Sequence, residues 1–136
     1  MTRTQMAYLS AAKTMSKLSD HKQQIGCVVV NKHRIVSSGF NSNTKCHKVQ
    51  ALLDKQRFGE DSLGKLHSEV AALLPLIRSR TDLSRATIYV YRQHKDGTLA
   101  MARPCSRCMS LIKQCGIKTI IYTTEDGVAT EKINYE

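Results

Sequence analysis

Apolar and polar positions change period along this chain, and each change marks a new element. In "MTRTQMAYLSAAKTMSKLSD", Met6, Leu9, Ala12 or Lys13, Thr14 or Met15, and Leu18 recur at roughly helical spacing, which predicts a helix. An amphipathic presequence is the alternative reading of that stretch. "IGCVVVN" (25–31) and "RIVSSGF" (34–40) are short, apolar and β-branched, and the tight polar turn "KH" joins them. That pattern predicts an antiparallel hairpin. Residues 41–65 are polar, with "KVQALLDK" in their middle as a short helix. "HSEVAALLPLIRSR" returns to helical spacing, but Pro75 interrupts it. Proline lacks a backbone donor and costs about 3 kcal/mol inside a helix. A kink or an early end is therefore expected near Leu74.

The second half alternates in the same way. "ATIYVYR" (86–92) predicts a strand, "HKDG" (94–97) a turn, and "TLAMA" a short extended return. After Pro104, "CSRCMSLIKQCG" reads as a helix with proline in its first turn and Gly116 at its C-terminal cap. "IKTIIYT" (117–123) predicts the next strand, and "EDG" turns the chain into "VATEKI", a last short antiparallel strand. Strands alternating with helices imply a layered α/β fold. With 136 residues, no internal repeat and no linker, residues 1–136 are expected to form one domain.

Charge changes the picture. Lys and Arg number 21 against 11 Asp and Glu, a net charge of +10 spread along the chain rather than gathered in a tail. The excess favours anionic partners: nucleotides, nucleic acid or an acidic protein. A solvated basic surface is the bland alternative. With no Trp, two Phe and five Tyr, there are few platforms for stacking single-stranded bases. Tyr89 and Tyr91 share a strand face and suit core packing equally well. No apolar run approaches the roughly 20 residues of a membrane helix. The N-terminus has no apolar segment of a secretory signal. Five cysteines, an odd number, argue for a reducing compartment, and a cytoplasmic location is expected. Cys27, within "IGCVVV", reads as a small buried hydrophobe.

Two segments carry candidate chemistry. Cys105 and Cys108 lie three apart in the first turn of a helix, where free N–H groups and the helix dipole favour thiolate. Such a pair suits a metal or a redox couple. His67 alone is more simply a core or surface residue, and Glu69 alone a carboxylate complementing a helix dipole. Taken together, one His and two Cys make three zinc ligands with one position left for water, the pattern of a catalytic site. Glu69, beside the metal but not bound to it, could then shuttle protons. A closed structural site would instead need a fourth ligand from Cys46, His47 or Cys115. The chain would then be a zinc-stapled binding module, and Glu69 would have no task.

"HSE" followed by "PCSRC" matches H-x-E then P-C-x-x-C, an established signature of zinc deaminases. From about Ile25 to Tyr122 the chain resembles the cytidine and deoxycytidylate deaminase superfamily. The "IGCVVV…RIVSSGFN" hairpin and "PCSRCMSLIKQCGIKTIIY" support that resemblance. It implies a three-layer α/β/α fold, with a mixed sheet of about five strands and helices on both faces. It implies that His67, Cys105 and Cys108 hold zinc, that Glu69 moves protons, and that Asn41 contacts the sugar. Ser68, Arg103 and Pro104 complete the expected substrate contacts. The implied reaction is hydrolysis of cytosine to uracil in a free nucleotide or nucleoside, with dCMP to dUMP the leading expectation. The alternative is a cytosine or adenine deaminase acting on single-stranded DNA or RNA, which the charge favours. Many relatives assemble, so a homo-oligomer is expected, with no membrane partner.

The chain also departs from the family. Ser68 stands where alanine or cysteine is more usual. An extra turn, "QHKDGTLAMA", separates the third strand from "RPC". The final hairpin resembles free-nucleoside cytidine deaminases, which typically carry cysteine where His67 stands.

Overall fold

The computed structural model describes residues 1–42 and 67–133. The short helix expected at "KVQALLDK", and Cys46 and His47, lie outside the described residues.

Helix α1 (Arg3–Ser16) begins at a capping box: the Thr2 hydroxyl accepts from the Gln5 amide while the Gln5 side chain accepts from the Thr2 amide. Strands β1 (Ile25–Asn31) and β2 (Arg34–Phe40) form the expected antiparallel hairpin. Lys32 and His33 turn between them at positive φ, 53° and 65°. Helix α2 (Ser68–Arg78), strand β3 (Thr87–Arg92), helix α3 (Ser106–Gln114) and strands β4 (Thr119–Thr124) and β5 (Gly127–Lys132) follow.

The sheet order is β2-β1-β3-β4-β5. The β3–β4 pair is parallel and α3 makes its crossover; the other three pairs are antiparallel. Side-chain alternation sends β1, β3 and β4 to two cores. On one face α1 packs Leu9 and Ala12 against Val28, Val30, Tyr89, Tyr91 and Ile121. On the other, α2 and α3 pack Val70, Leu73 and Ile112 against Cys27, Val29, Ile88, Val90 and Ile120. Covering both faces explains why these strands read as unbroken apolar runs rather than as alternating ones. The result is the expected three-layer α/β/α arrangement with a mixed five-stranded sheet.

Close approach of α1 depends on Gly26. A Cβ there would stand 2.3 Å from the Ala12 carbonyl oxygen and 2.2 Å from the Ser16 amide nitrogen. A glycine inside a β-branched strand is the sequence mark of such an approach.

Two expectations need correction. Of the kink or early end expected near Leu74, the early end is not found: helix α2 continues through Pro75 to Arg78. Pro75 is on the exposed side, while Leu73, Leu74 and Leu76 are buried. Leu76 lies beyond the proline, and burying it contributes about 1.5–3 kcal/mol, which offsets much of the roughly 3 kcal/mol cost of the proline. The helix after Pro104 starts later than expected. Cys105 is its N-cap and Ser106 its first residue, so Pro104 precedes the helix rather than occupying its first turn. Its C-terminus is as expected. Gly116 has φ 83°, its amide donates to Lys113 O at 3.0 Å, and the Ile117 amide donates to Ile112 O at 3.4 Å, a Schellman closure.

"TLAMA" does run back. Gln93 and Leu99 form an isolated antiparallel bridge, and the Ala100 amide donates to Arg92 O at 3.0 Å. The last strand, β5, is antiparallel to β4.

Candidate active site

Two helix N-termini meet on the α2/α3 side of the sheet. His67 is the N-cap of α2 and Cys105 the N-cap of α3, both in extended backbone conformation. Each carbonyl accepts the first helical hydrogen bond, from Ala71 at 3.1 Å and Met109 at 2.8 Å. An N-cap side chain usually turns back onto its own helix. Neither of these does, which leaves both ligand atoms facing across the gap. Cys108 lies one turn into α3. His67 Nδ1 is 3.7 Å from Cys105 Sγ and 3.3 Å from Cys108 Sγ. The three ligand atoms lie within 4.8 Å of one another, and they form the single such cluster among the described residues. One imidazole and two thiols suit zinc, with a fourth position open to water or substrate.

The electrostatics prepare this cluster for a cation. A hydrogen bond from Cys108, then one from His67, lowers the Cys105 thiol to about 3. The same bond to Cys105, followed by burial, raises Cys108 well above the ordinary thiol value. The pair therefore holds one thiolate, at Cys105, and one proton, at Cys108. The helix N-terminus under Cys105 favours the same state.

Glu69 is buried at the second position of α2, 5 % exposed. Burial raises its carboxyl above the ordinary range; the Ser68 hydroxyl and His67 pull the other way. Ser68 Oγ donates to Glu69 Oε1. A buried acid beside a cluster of metal ligands can hold or release a proton near neutral pH.

The strands beneath set the height of α2. Cys27 of β1 pairs across the ladder with Gly39 of β2. Cys27 Sγ donates to the Ser68 carbonyl at 3.1 Å, and burial keeps that thiol neutral. Cys27 is thus the small buried residue expected, with one added polar contact. Gly39 leaves room for the α2 backbone, and Ser37 Oγ donates to Ala72 O at 2.6 Å. These supports escaped sequence reasoning. A glycine inside "RIVSSGF" was their available signal.

The expected substrate contacts divide. Ser68 and Pro104 are buried next to the metal-ligand residues. Asn41 is buried and ties down the segment before β1. Its Oδ1 accepts from Ser19 Oγ at 2.6 Å and the Ile25 amide at 2.9 Å, and its Nδ2 donates to Gln23 O at 2.7 Å. Arg103 makes a two-pronged pair with Glu131 of β5, at 3.0 and 2.9 Å. Cys115, the remaining described candidate for a fourth ligand, is outside the cluster.

A three-layer sheet bearing one His and two Cys at paired helix N-termini, with a buried acid beside them, defines a zinc-dependent deaminase. The chain belongs to the family described as the cytidine and deoxycytidylate deaminase zinc-binding region, whose model matches residues 1–124. Solved structures share the fold. The apo dCMP deaminase of cyanophage S-TIM5 is 23% identical, with 90% of this chain and 84% of that chain covered and a TM-score of 0.64. Cytidine deaminase from Burkholderia pseudomallei is 17% identical, covering 97% and 93%, with a TM-score of 0.64. Guanine deaminase from Bacillus subtilis is 17% identical, covering 91% and 65%, with a TM-score of 0.55. No curated protein sequence matches the chain. No helix among the described residues is long and apolar enough to cross a membrane.

Proposed function

We propose that this protein deaminates the cytosine of a free pyrimidine nucleotide, with dCMP as substrate and dUMP and ammonia as products, and that residues 1–136 act as one domain. The observation that carries the reading is the convergence of His67, Cys105 and Cys108 at two helix N-termini, with Glu69 buried two residues past His67. A structural likeness to a cyanophage dCMP deaminase solved with dCMP and dUMP supports the choice of substrate.

His67, Cys105 and Cys108 would hold zinc. When bound, zinc supplies Lewis acidity that brings the pKa of water towards about 7. Overall, water adds at C4 of cytosine, the bond from C4 to the exocyclic nitrogen breaks, and ammonia leaves. Glu69 takes a proton from the attacking water and delivers protons to the ring nitrogen and then to the leaving nitrogen. Its burial matches this task, because desolvation raises the carboxyl above its ordinary range and makes it a better proton acceptor. Ser68 holds one Glu69 oxygen by donating its hydroxyl to it. Asn41 shapes the sugar side of the pocket through the segment it ties down.

A second reading, deamination of cytosine or adenine in single-stranded nucleic acid, is favoured by the net charge of +10. The test offers zinc-loaded protein dCMP, deoxycytidine, cytidine and single-stranded oligonucleotides, and measures ammonia release. Turnover of dCMP above the nucleosides supports the first reading. Turnover confined to oligonucleotides replaces it with the second.

A further inference from the structure

We infer that the cleft between the segment before β1 and the turn after β3 binds a substrate phosphate, with Lys22 and Lys95 as its specificity-determining cations. This deepens the proposed function and rests on the reading of the zinc site as a nucleotide deaminase. The cleft has a volume of about 420 Å³ and is lined by Lys22, Gln23, Gln24, Arg92, Gln93, His94 and Lys95.

Charge is the first argument. Three of the lining residues are permanent cations. Lys22 and Lys95 are exposed, and neither has a carboxylate partner among the described residues. The nearby acids are already engaged: Glu125 pairs with His94 at 3.0 Å, and Asp96 accepts from the Thr98 hydroxyl and amide. Two lysines without a carboxylate partner among the described residues, beside Arg92, suit an anionic phosphate group.

Rigidity is the second. Both walls are pinned. Gln23 O accepts from Asn41 Nδ2 at 2.7 Å, and Gln24 Nε2 donates to Ser19 O at 2.7 Å. On the other wall, the His94 amide donates to Thr98 O at 2.8 Å, and Arg92 Nη1 donates to Met101 O at 3.2 Å. Fixed walls reduce the ordering cost of binding.

Position is the third. Arg92 pairs with Ile25, two steps along the ladder from the Cys27–Val90 pair. Cys27 bonds Ser68, the neighbour of both His67 and Glu69. The cleft therefore opens at the end of the sheet where the zinc ligands gather. Lys95 sits in "QHKDGTLAMA", the segment between β3 and the zinc-ligand helix α3, so this wall is joined directly to the site.

The phosphate can belong to a mononucleotide or to the backbone of a single strand, and the experiment separates the two. Lys22→Gln/Lys95→Gln and Lys22→Arg/Lys95→Arg are each compared with the parent, all zinc-loaded. The ratio of kcat/KM for dCMP over deoxycytidine is expected to fall about tenfold or more in the glutamine variant and to survive in the arginine variant. If the source is a single strand, the salt slope of oligonucleotide binding drops by about two instead. Equilibrium binding of inorganic pyrophosphate to the same proteins needs no turnover. If dCMP is not turned over, loss of pyrophosphate binding in the glutamine variant upholds the cleft while the substrate reading fails. An unchanged dCMP preference, salt slope and pyrophosphate affinity together overturn the proposal.

Discussion

Gly39 lies directly beneath Ser68: a Cβ on residue 39 would stand 2.4 Å from the Ser68 carbonyl oxygen and 2.8 Å from the Ala72 amide nitrogen. The turn that carries His67 and Glu69 thus rests on a position with no side chain. Both neighbours are backbone, so neither can rotate away. Gly39→Ala is expected to lift the start of α2, cost about 1–3 kcal/mol and weaken zinc binding. Urea unfolding and a zinc titration would measure the two effects. Ser38→Ala, on the exposed neighbour, should change neither. Parent-like zinc affinity in Gly39→Ala would show that α2 is not positioned from below.

The core and the zinc cluster were legible for different reasons. Strands β1, β3 and β4 announce themselves because both faces are covered, so their apolar runs are continuous. The ligands announce themselves because short spacings, His67 to Glu69 and Cys105 to Cys108, place chemically unusual residues within one helical turn. Contacts between segments distant in sequence left no such mark. Asn41 holding Ser19 and Gln23, Arg103 meeting Glu131, and Gly26 admitting α1 are products of tertiary packing. Pro75 misled because local cost was legible while the burial of Leu74 and Leu76 was not. Pro104 was expected in the first turn of α3 because proline is common there, whereas it precedes the Cys105 cap.

Zinc binding is expected to release protons. Cys105 is already a thiolate, with its pKa lowered to about 3, whereas Cys108 keeps its proton. Ligation requires both sulfurs deprotonated, so at least one proton should leave per zinc at pH 7, and affinity should rise with pH. Calorimetry in buffers of different ionisation enthalpy counts the protons. A count of zero would contradict the shared-proton state. Chelation should abolish turnover, and re-addition of zinc should restore it.

Arg103→Ala is expected to do little. Its pair with Glu131 is two-pronged but partly exposed, 48% and 33% for the two side chains. Such pairs contribute about 0–1 kcal/mol and weaken with salt. We expect kcat/KM for dCMP to stay within about threefold of the parent. A loss of about a hundredfold at unchanged stability would instead place Arg103 against the substrate.

Glu69→Gln separates proton transfer from metal binding. Glutamine keeps the size and one acceptor but cannot carry a proton. Turnover should fall by about 10²–10⁴-fold while zinc content stays at that of the parent. The same variant reads out burial in the metal-free protein. The Glu69 pKa is raised in the folded state, above its ordinary 4.5, chiefly by desolvation. For an acid shifted upward, the folded protein holds the proton more tightly than the unfolded chain. The associated stability is present below the unfolded value and is lost as pH rises through the folded value. Metal-free parent should therefore lose stability relative to metal-free Glu69→Gln as pH climbs from about 4 through the raised folded value. Urea midpoints across that range provide the measurement. A constant difference between the two proteins would mean that Glu69 is hydrated rather than buried, and the case for burial tuning it as a proton carrier would fall with it.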